Sequence, residues 1–321
     1  MNNGDGTMDS RRFLVVCLNP TMQKTLVFDS FHPGEVNRVV DERLDASGKG
    51  VNVARVAVEL GAPAVHLTHT GGREAERFRQ LCRADKVDLA DVVCDSEIRF
   101  CTTVVDRSTS TTTEIVEPTQ PVPAGTEEQV LARFAELLDR ADTVVLSGST
   151  APGYSADLFP RMVRLARTRG ITVIADFRGE ALKNVMDSPR ELLPTVIKPN
   201  LKEFAETFLF GGARSVSEHS DDQQTLQRTE KQMRRLHEAG TTVILTRGAH
   251  PTMMIDETGA LVQIPVTPLD PVNTIGCGDA FTAGLAVELR AGSSLSDAID
   301  RAHAAAAMNA TNLKPGSIRP V

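Results

Sequence analysis

Three short stretches set polar side chains beside glycines at points where a helix should start. In N-T-I-G-C-G-D-A-F-T-A-G, residues 273–284, Gly276, Cys277 and Gly278 precede Asp279. Phe281, Leu285 and Leu289 then recur every four residues, which predicts a helix beginning near Asp279. Glycines at 276 and 278 allow a tight bend, so the free N–H groups of residues 276–279 can converge at the positive end of the helix. Such a turn is an anion hole, and an acid within it can take a proton from a hydroxyl while the amides hold a phosphoryl group. Read alone, Asp279 is better taken as an ordinary helix cap. The stretch is not a dinucleotide fingerprint, because Phe281 stands where the third glycine belongs.

The second stretch, A-S-G-K-G-V-N-V-A-R-V at 46–56, gathers Gly48, Lys49 and Gly50 at a helix start. Backbone amides and an ammonium group there suit a phosphate or sugar hydroxyls, and Asn52 can both donate to and accept from vicinal hydroxyls. It is no Walker A loop, since Arg43 replaces the first glycine and Gly50 the magnesium-binding Ser or Thr. The third, I-K-P-N-L-K-E, puts Asn200 and Glu203 three residues apart at a strand-to-helix junction. An amide and a carboxylate on one face can hold the water shell of magnesium. A solvated lysine at 49 and a first-turn charge or cap at 203 are the plain alternatives.

The elements that would position these residues are legible in the hydrophobic pattern. Short apolar runs at 13–19, 64–70, 143–149, 171–177, 195–200 and 241–248 read as strands. Segments of helical period lie near 49–60, 73–84, 126–140, 155–168, 201–209 and 224–239. Strands apolar on both faces, alternating with helices, predict an α/β fold with a mostly parallel sheet covered on both sides. Ligands in such sheets sit beyond the carboxyl ends of the strands. Residues 23–45 and 97–118 alternate apolar and polar with no helix between, which predicts hairpins forming a small second sheet. The stretch at 215–224 reads as a surface loop.

Composition narrows the function classes. The chain has 321 residues, 41% hydrophobic and 24% charged, with a formal net charge of −7. That charge opposes nucleic acid or an anionic membrane as the main partner. The first twelve residues lack an apolar core and no run of about eighteen apolar residues occurs, so a cytoplasmic location is expected. Five cysteines, none in C-x-x-C, read as free thiols, and His66 and His69 as structural rather than zinc ligands.

In order along the chain, the motifs resemble the pfkB (ribokinase-like) carbohydrate kinases, nearest to the branch of 1-phosphofructokinase and tagatose-6-phosphate kinase. L-N-P-T-M-Q-K-T-L, G-K-G-V-N-V-A-R-V, S-G-S-T-A-P-G, D-F-R-G-E-A-L, K-P-N-L-K-E and N-T-I-G-C-G-D-A-F-T-A-G match six ordered elements between about 13 and 316. The resemblance implies one kinase domain over 13–320 after a disordered tail at 1–12. ATP and Mg2+ would be its cofactors, with room for a monovalent cation. Asp279 would be the base, and the amides of Gly276, Cys277 and Gly278 the phosphoryl hole. Gln23, Gly48, Lys49, Asn52 and Arg99 would bind the sugar, the two cations suiting a phosphate already on it. Lys198, Asn200, Thr246, Arg247, Gly248 and Asn309 would serve the nucleotide, and Glu203 with Asn200 the magnesium. The small sheet would be a lid that closes over the sugar and carries a homodimer contact. The sequence departs from the branch at Gln23, which replaces an aspartate, and at His250 and Pro251 in the nucleotide loop. A kinase for an unphosphorylated sugar or nucleoside, or a weakened sugar-phosphate-binding protein, are the competing expectations.

Overall fold

The structure, a computed structural model, describes residues 12–211 and 216–319. The tail expected at 1–12 therefore lies outside the described residues apart from Arg12, which opens the first strand, and so does Ser215 of the expected surface loop.

In chain order the elements are β1 (Arg12–Val16), β2 (Thr21–Phe28), β3 (Asp41–Ser47), α1 (Lys49–Glu59), β4 (Ala64–Thr70), α2 (Ala75–Ala84), β5 (Asp88–Val93), β6 (Arg99–Asp106), β7 (Thr111–Val116), α3 (Thr126–Leu137) and β8 (Ala141–Ser147). There follow α4 (Leu158–Arg167), β9 (Thr172–Asp176), α5 (Glu180–Met186), β10 (Val196–Ile197), α6 (Leu201–Phe204), α7 (Gln223–Ala239), β11 (Thr242–Arg247), β12 (His250–Ile255), β13 (Leu261–Ile264), α8 (Cys277–Arg290) and α9 (Leu295–Ala310).

The large sheet runs β13-β12-β11-β10-β9-β8-β1-β4-β5. From β11 to β5 all pairings are parallel, and β12 and β13 are added antiparallel. Alternation sorts its side chains onto two faces. Leu14 and Val16 of β1 join Phe134, Met162 and Met233 from α3, α4 and α7. Phe13 and Val15 join Val53, Phe281 and Ile299 from α1, α8 and α9. Burial on both sides is why these strands read as unbroken apolar runs.

The run expected as a strand over 195–200 pairs in full at Val196–Ile197, with an isolated bridge from Asn200 to Thr246. Pro199 ends it, because proline has no N–H to give the ladder. The helix expected at 201–209 is one α turn followed by a π turn, Ala205–Leu209.

The small sheet has the order β3-β2-β6-β7, with β2 and β6 parallel at its centre. Its roots lie at the carboxyl edge of the large sheet. Four residues separate β1 from β2, and β3 passes through Gly48 directly into α1. The threonine-rich segment closes β6 onto β7, whose Ile115 and Val116 are exposed. Among the described residues no helix is long and apolar enough to cross a membrane.

Candidate active site

Two helix N-termini and the ends of β8, β9 and β10 meet at one place. At the first, Gly48 takes φ +98° and turns β3 into α1, and a Cβ there would stand 3.2 Å from Asn19 O. At the second, Gly276 takes φ +85° as the residue before α8, and a Cβ on it would lie 2.4 Å from Gly316 N. A left-handed conformation in so close an approach requires glycine.

Gly278 is different from the sequence expectation. It lies in the first turn of α8 with no positive φ, and a Cβ there would meet nothing within 4 Å. The missing side chain therefore keeps space open over the helix mouth instead of permitting a bend. The amides around it divide in use. Cys277 N–H bonds Thr274 O at 3.3 Å, and Ala280 N–H is the one that closes onto Gly276 O, at 2.8 Å. The first-turn N–H groups of Gly278 and Asp279 have no acceptor within the helix. Of the three amides expected to face a phosphoryl group, that of Cys277 is bonded within its own turn.

Asp279 is 7% exposed, and its Oδ2 accepts a hydrogen bond from Asn52 Nδ2 at 2.8 Å. Burial pushes its carboxyl up. Lys49, the Asn52 hydrogen bond and Lys198 pull the other way and Asp176 pushes up again, leaving it at about 6. A base near that value is deprotonated at neutral pH yet retains affinity for a proton.

Beside it lies a group the sequence did not single out. Asp176, at the end of β9, is buried, with Oδ1 3.4 Å from both Lys49 Nζ and Lys198 Nζ. Its Oδ2 accepts from Thr282 Oγ1 at 3.0 Å and Ser147 Oγ at 3.3 Å. Burial alone would raise its pKa, but Lys198, Lys49 and the Thr282 hydroxyl outweigh it and hold the carboxyl below its usual value. Lys49 Nζ also lies 3.5 Å from Glu203 Oε1. Burial lowers the Lys49 pKa, yet Asp176, Glu203 and Asp279 outweigh it and keep the group charged. A signal for Asp176 existed in its place as the last residue of an apolar strand, where a polar side chain at the carboxyl end faces the ligand edge.

Asn200 and Glu203 form a reciprocal capping box. Asn200 Oδ1 accepts from Glu203 N at 2.8 Å and Glu203 Oε2 accepts from Asn200 N at 3.1 Å. The Asn200 oxygen is thus engaged in the cap, whereas Glu203 keeps Oε1 on the lysine side. Among the described residues no group of three or more His, Cys, Asp or Glu side chains could hold a metal by itself.

Other expected site residues sit elsewhere or do other work. Asn52, 3% exposed, accepts from Ser47 Oγ and Arg55 while donating to Asp279. Asn309 is 0% exposed. Its Nδ2 donates to Ile275 O and Cys277 Sγ, and its Oδ1 accepts from Gly316 N and Ser317 N. That side chain braces the 274–277 turn from beneath. Arg247 is bound to Ser220 O at 2.8 Å and Asp221 Oδ1 at 2.6 Å, and the His219 ring covers Gly248. Both are turned toward the 217–221 segment. Thr246 reaches the site through its bridge to Asn200. On the small sheet Gln23 Nε2 donates to Thr103 Oγ1 at 2.6 Å. Arg99 donates to two neutral oxygens, Thr21 Oγ1 at 3.4 Å and Glu117 O at 3.3 Å.

The chain is similar to a tagatose-6-phosphate kinase from Staphylococcus epidermidis, 26% identical over 305 residues and spanning 95% of this chain and 94% of the relative. Among solved structures, a possible 1-phosphofructokinase from Thermotoga maritima superposes with a TM-score of 0.82 at 22% identity, covering 97% of this chain and 94% of the other. Phosphofructokinase-2 from Escherichia coli in complex with potassium gives 0.80 at 21% identity, covering 95% and 94%. Residues 13–320 match the family model described as pfkB family carbohydrate kinase. With that match over nearly its whole length, the chain belongs to the pfkB family of carbohydrate kinases, phosphotransferases with an alcohol group as acceptor.

Proposed function

We propose that this kinase transfers the γ-phosphoryl group of ATP to a hydroxyl of a sugar phosphate. The observation that carries the reading is the placement of Asp279: a buried carboxylate at the positive mouth of α8, with open space over Gly278 and two lysines at Asp176. Asp279 takes the proton of the acceptor hydroxyl, whose oxygen forms a bond to the γ-phosphorus as the bond to the leaving ADP oxygen breaks. The amides of Gly278 and Asp279, with Lys49 and Lys198, hold the charge on the transferring group. Little covalent work is left to the protein beyond placement and charge.

Magnesium fits as an ion carried on the nucleotide phosphates, because Glu203 has one oxygen in its capping box and turns the other toward Lys49 and the site. Glu203 would hold its water shell, and the ion would supply charge neutralisation to the nucleotide phosphates. A phosphorylated acceptor is favoured by the tagatose-6-phosphate kinase relative and by Arg99, whose long bonds to neutral oxygens a phosphate would replace. The small sheet is the lid over the sugar, and the exposed Ile115 and Val116 of β7 are the surface through which two copies associate.

The test is ADP release by purified protein with Mg·ATP over a panel of ketohexose phosphates, neutral sugars and nucleosides, with and without potassium. Turnover of a sugar phosphate well above that of its neutral counterpart is expected. Turnover of neutral acceptors alone would overturn the substrate class.

A further inference from the structure

The carboxylate of Asp279 is held by the amide of Asn52, and an amide can present either of its ends. A flip would bring Oδ1 against Asp279 Oδ2, two acceptors face to face. Ser47 does not prevent this, since a hydroxyl donates or accepts as required. Arg55 does.

One helical turn beyond Asn52 on α1, Arg55 is fully buried at 0% exposure. Its Nη1 lies 3.1 Å from Asn52 Oδ1. A guanidinium has donors and no acceptor, so the amide atom facing it must be the oxygen, and the NH2 must then face the base. The guanidinium is itself fixed on every side. Nη1 also reaches Pro315 O at 2.8 Å and Gly316 O at 3.3 Å, Nη2 donates to Ala46 O, and Nε donates to Asp85 Oδ2 at 2.7 Å. Asp85 is held in turn by Lys314. Gly316 sits so close that a Cβ on it would lie 2.3 Å from Asn52 Cβ, leaving the asparagine no room to swing away. The turn at 315–316, the last residues of β3 and the start of α1 are thus joined through one side chain.

We propose that Arg55 is a positioning residue for the catalytic base: by donating to Asn52 Oδ1 it fixes the amide so that Nδ2 donates to Asp279. The proposal rests on the kinase reading above. Lys49, Lys198 and Asp176 are the other charged groups that act on Asp279. The Asn52 hydrogen bond is among the influences that lower the Asp279 pKa against burial, so losing its donor must raise the proton affinity of the base.

The test uses Arg55→Lys, Asn52→Ala and their combination in the full chain. Lysine keeps a charge beside Asp85 but cannot span Asn52 and three carbonyls. Each single change should lower kcat about tenfold or more, with KM for both substrates altered far less. The double variant should be no slower than Asn52→Ala alone, because both act through one amide. Carbon-13 NMR titration of the Asp279 carboxyl, which needs no substrate, should show a higher midpoint in both single variants. Effects that multiply in the double variant, or a folded Arg55→Lys with unchanged kcat and unchanged titration, would overturn the proposal. Arg55→Gln, read by the same two measurements, covers the case in which lysine does not fold, since glutamine offers an acceptor as well as a donor and releases the constraint. Failure of the kinase reading is distinguishable, because it would leave the wild type inactive on every acceptor while the titration still reported on Asn52 and Arg55.

Discussion

Replacing Asp279 with asparagine should remove activity and make the protein more stable. The carboxyl stands at about 6 in the fold against a usual 3.8, because burial opposes its charge more than Lys49, Asn52 and Lys198 favour it. At about 1.4 kcal/mol per pH unit, that difference means the ionised form costs the native state about 3 kcal/mol at neutral pH. The direction follows from proton counting. Between pH 4 and 6 the native state binds more protons than the unfolded chain, so the wild type loses stability as pH rises through this window, and above it bears the full cost. Asparagine carries no charge and keeps an oxygen for Asn52 Nδ2. Asp279→Asn should therefore gain up to about 3 kcal/mol at pH 7.5 and almost nothing at pH 4. Its kcat should fall by roughly 10² to 10⁴, the range for loss of a general base. Urea unfolding of both proteins at the two pH values, beside steady-state kinetics, reads all of this. A variant no more stable than the wild type at pH 7.5, or a difference independent of pH, would refute the electrostatic reasoning, and unchanged kcat would reduce Asp279 to a helix cap.

Other outcomes follow from the same site. The kcat/KM of the wild type should rise with pH along an acid limb centred near 6, the value at which Asp279 ionises in the free protein, and be lost below it; a profile flat from pH 5 to 8 would contradict this. Gly278→Ala should fold at least as well as the wild type, since helical alanine is favoured over glycine by roughly 0.5–1 kcal/mol, and still lose kcat because its methyl fills the open space. Gly276→Ala should destabilise by at least about 1–2 kcal/mol from positive φ alone, with the approach of Gly316 N adding to it; thermal unfolding separates the two glycines. Asp176→Asn leaves Lys49 and Lys198 without their shared carboxylate and should cost about 3–5 kcal/mol, measured by denaturant unfolding.

The parallel sheet was legible because its strands are buried on both faces, and the small sheet because its hairpins alternate. What escaped notice had weaker patterns. The alanine-rich segment 302–307 hides the apolar face of α9, and Pro251 interrupts the reading of β12. The glycine turns and Asp279 were visible as local motifs, yet their partners were not. Asn52 and Asp279 are 227 residues apart, and Arg55 and Pro315 260 apart, so no local pattern records that they meet. One clue lay in α1 itself: Asn52 and Arg55 interrupt the apolar run 51–58 three residues apart, where a buried amide and a buried cation each demand partners. The engagement of Asn200 in a cap and of Asn309 beneath a turn escaped the sequence for a shared reason. Residue type and order do not reveal that an amide is already spent on a cap or a turn.

The central claim is transfer of a phosphoryl group to a sugar phosphate with Asp279 as base. It is tested most directly by following the label from γ-labelled ATP in the presence of each candidate acceptor, with wild type and Asp279→Asn side by side. Label should appear in a doubly phosphorylated sugar with the wild type and be reduced at least about a hundredfold with the variant. Equal labelling by the two proteins, or label released solely as inorganic phosphate whatever the acceptor, would contradict the account.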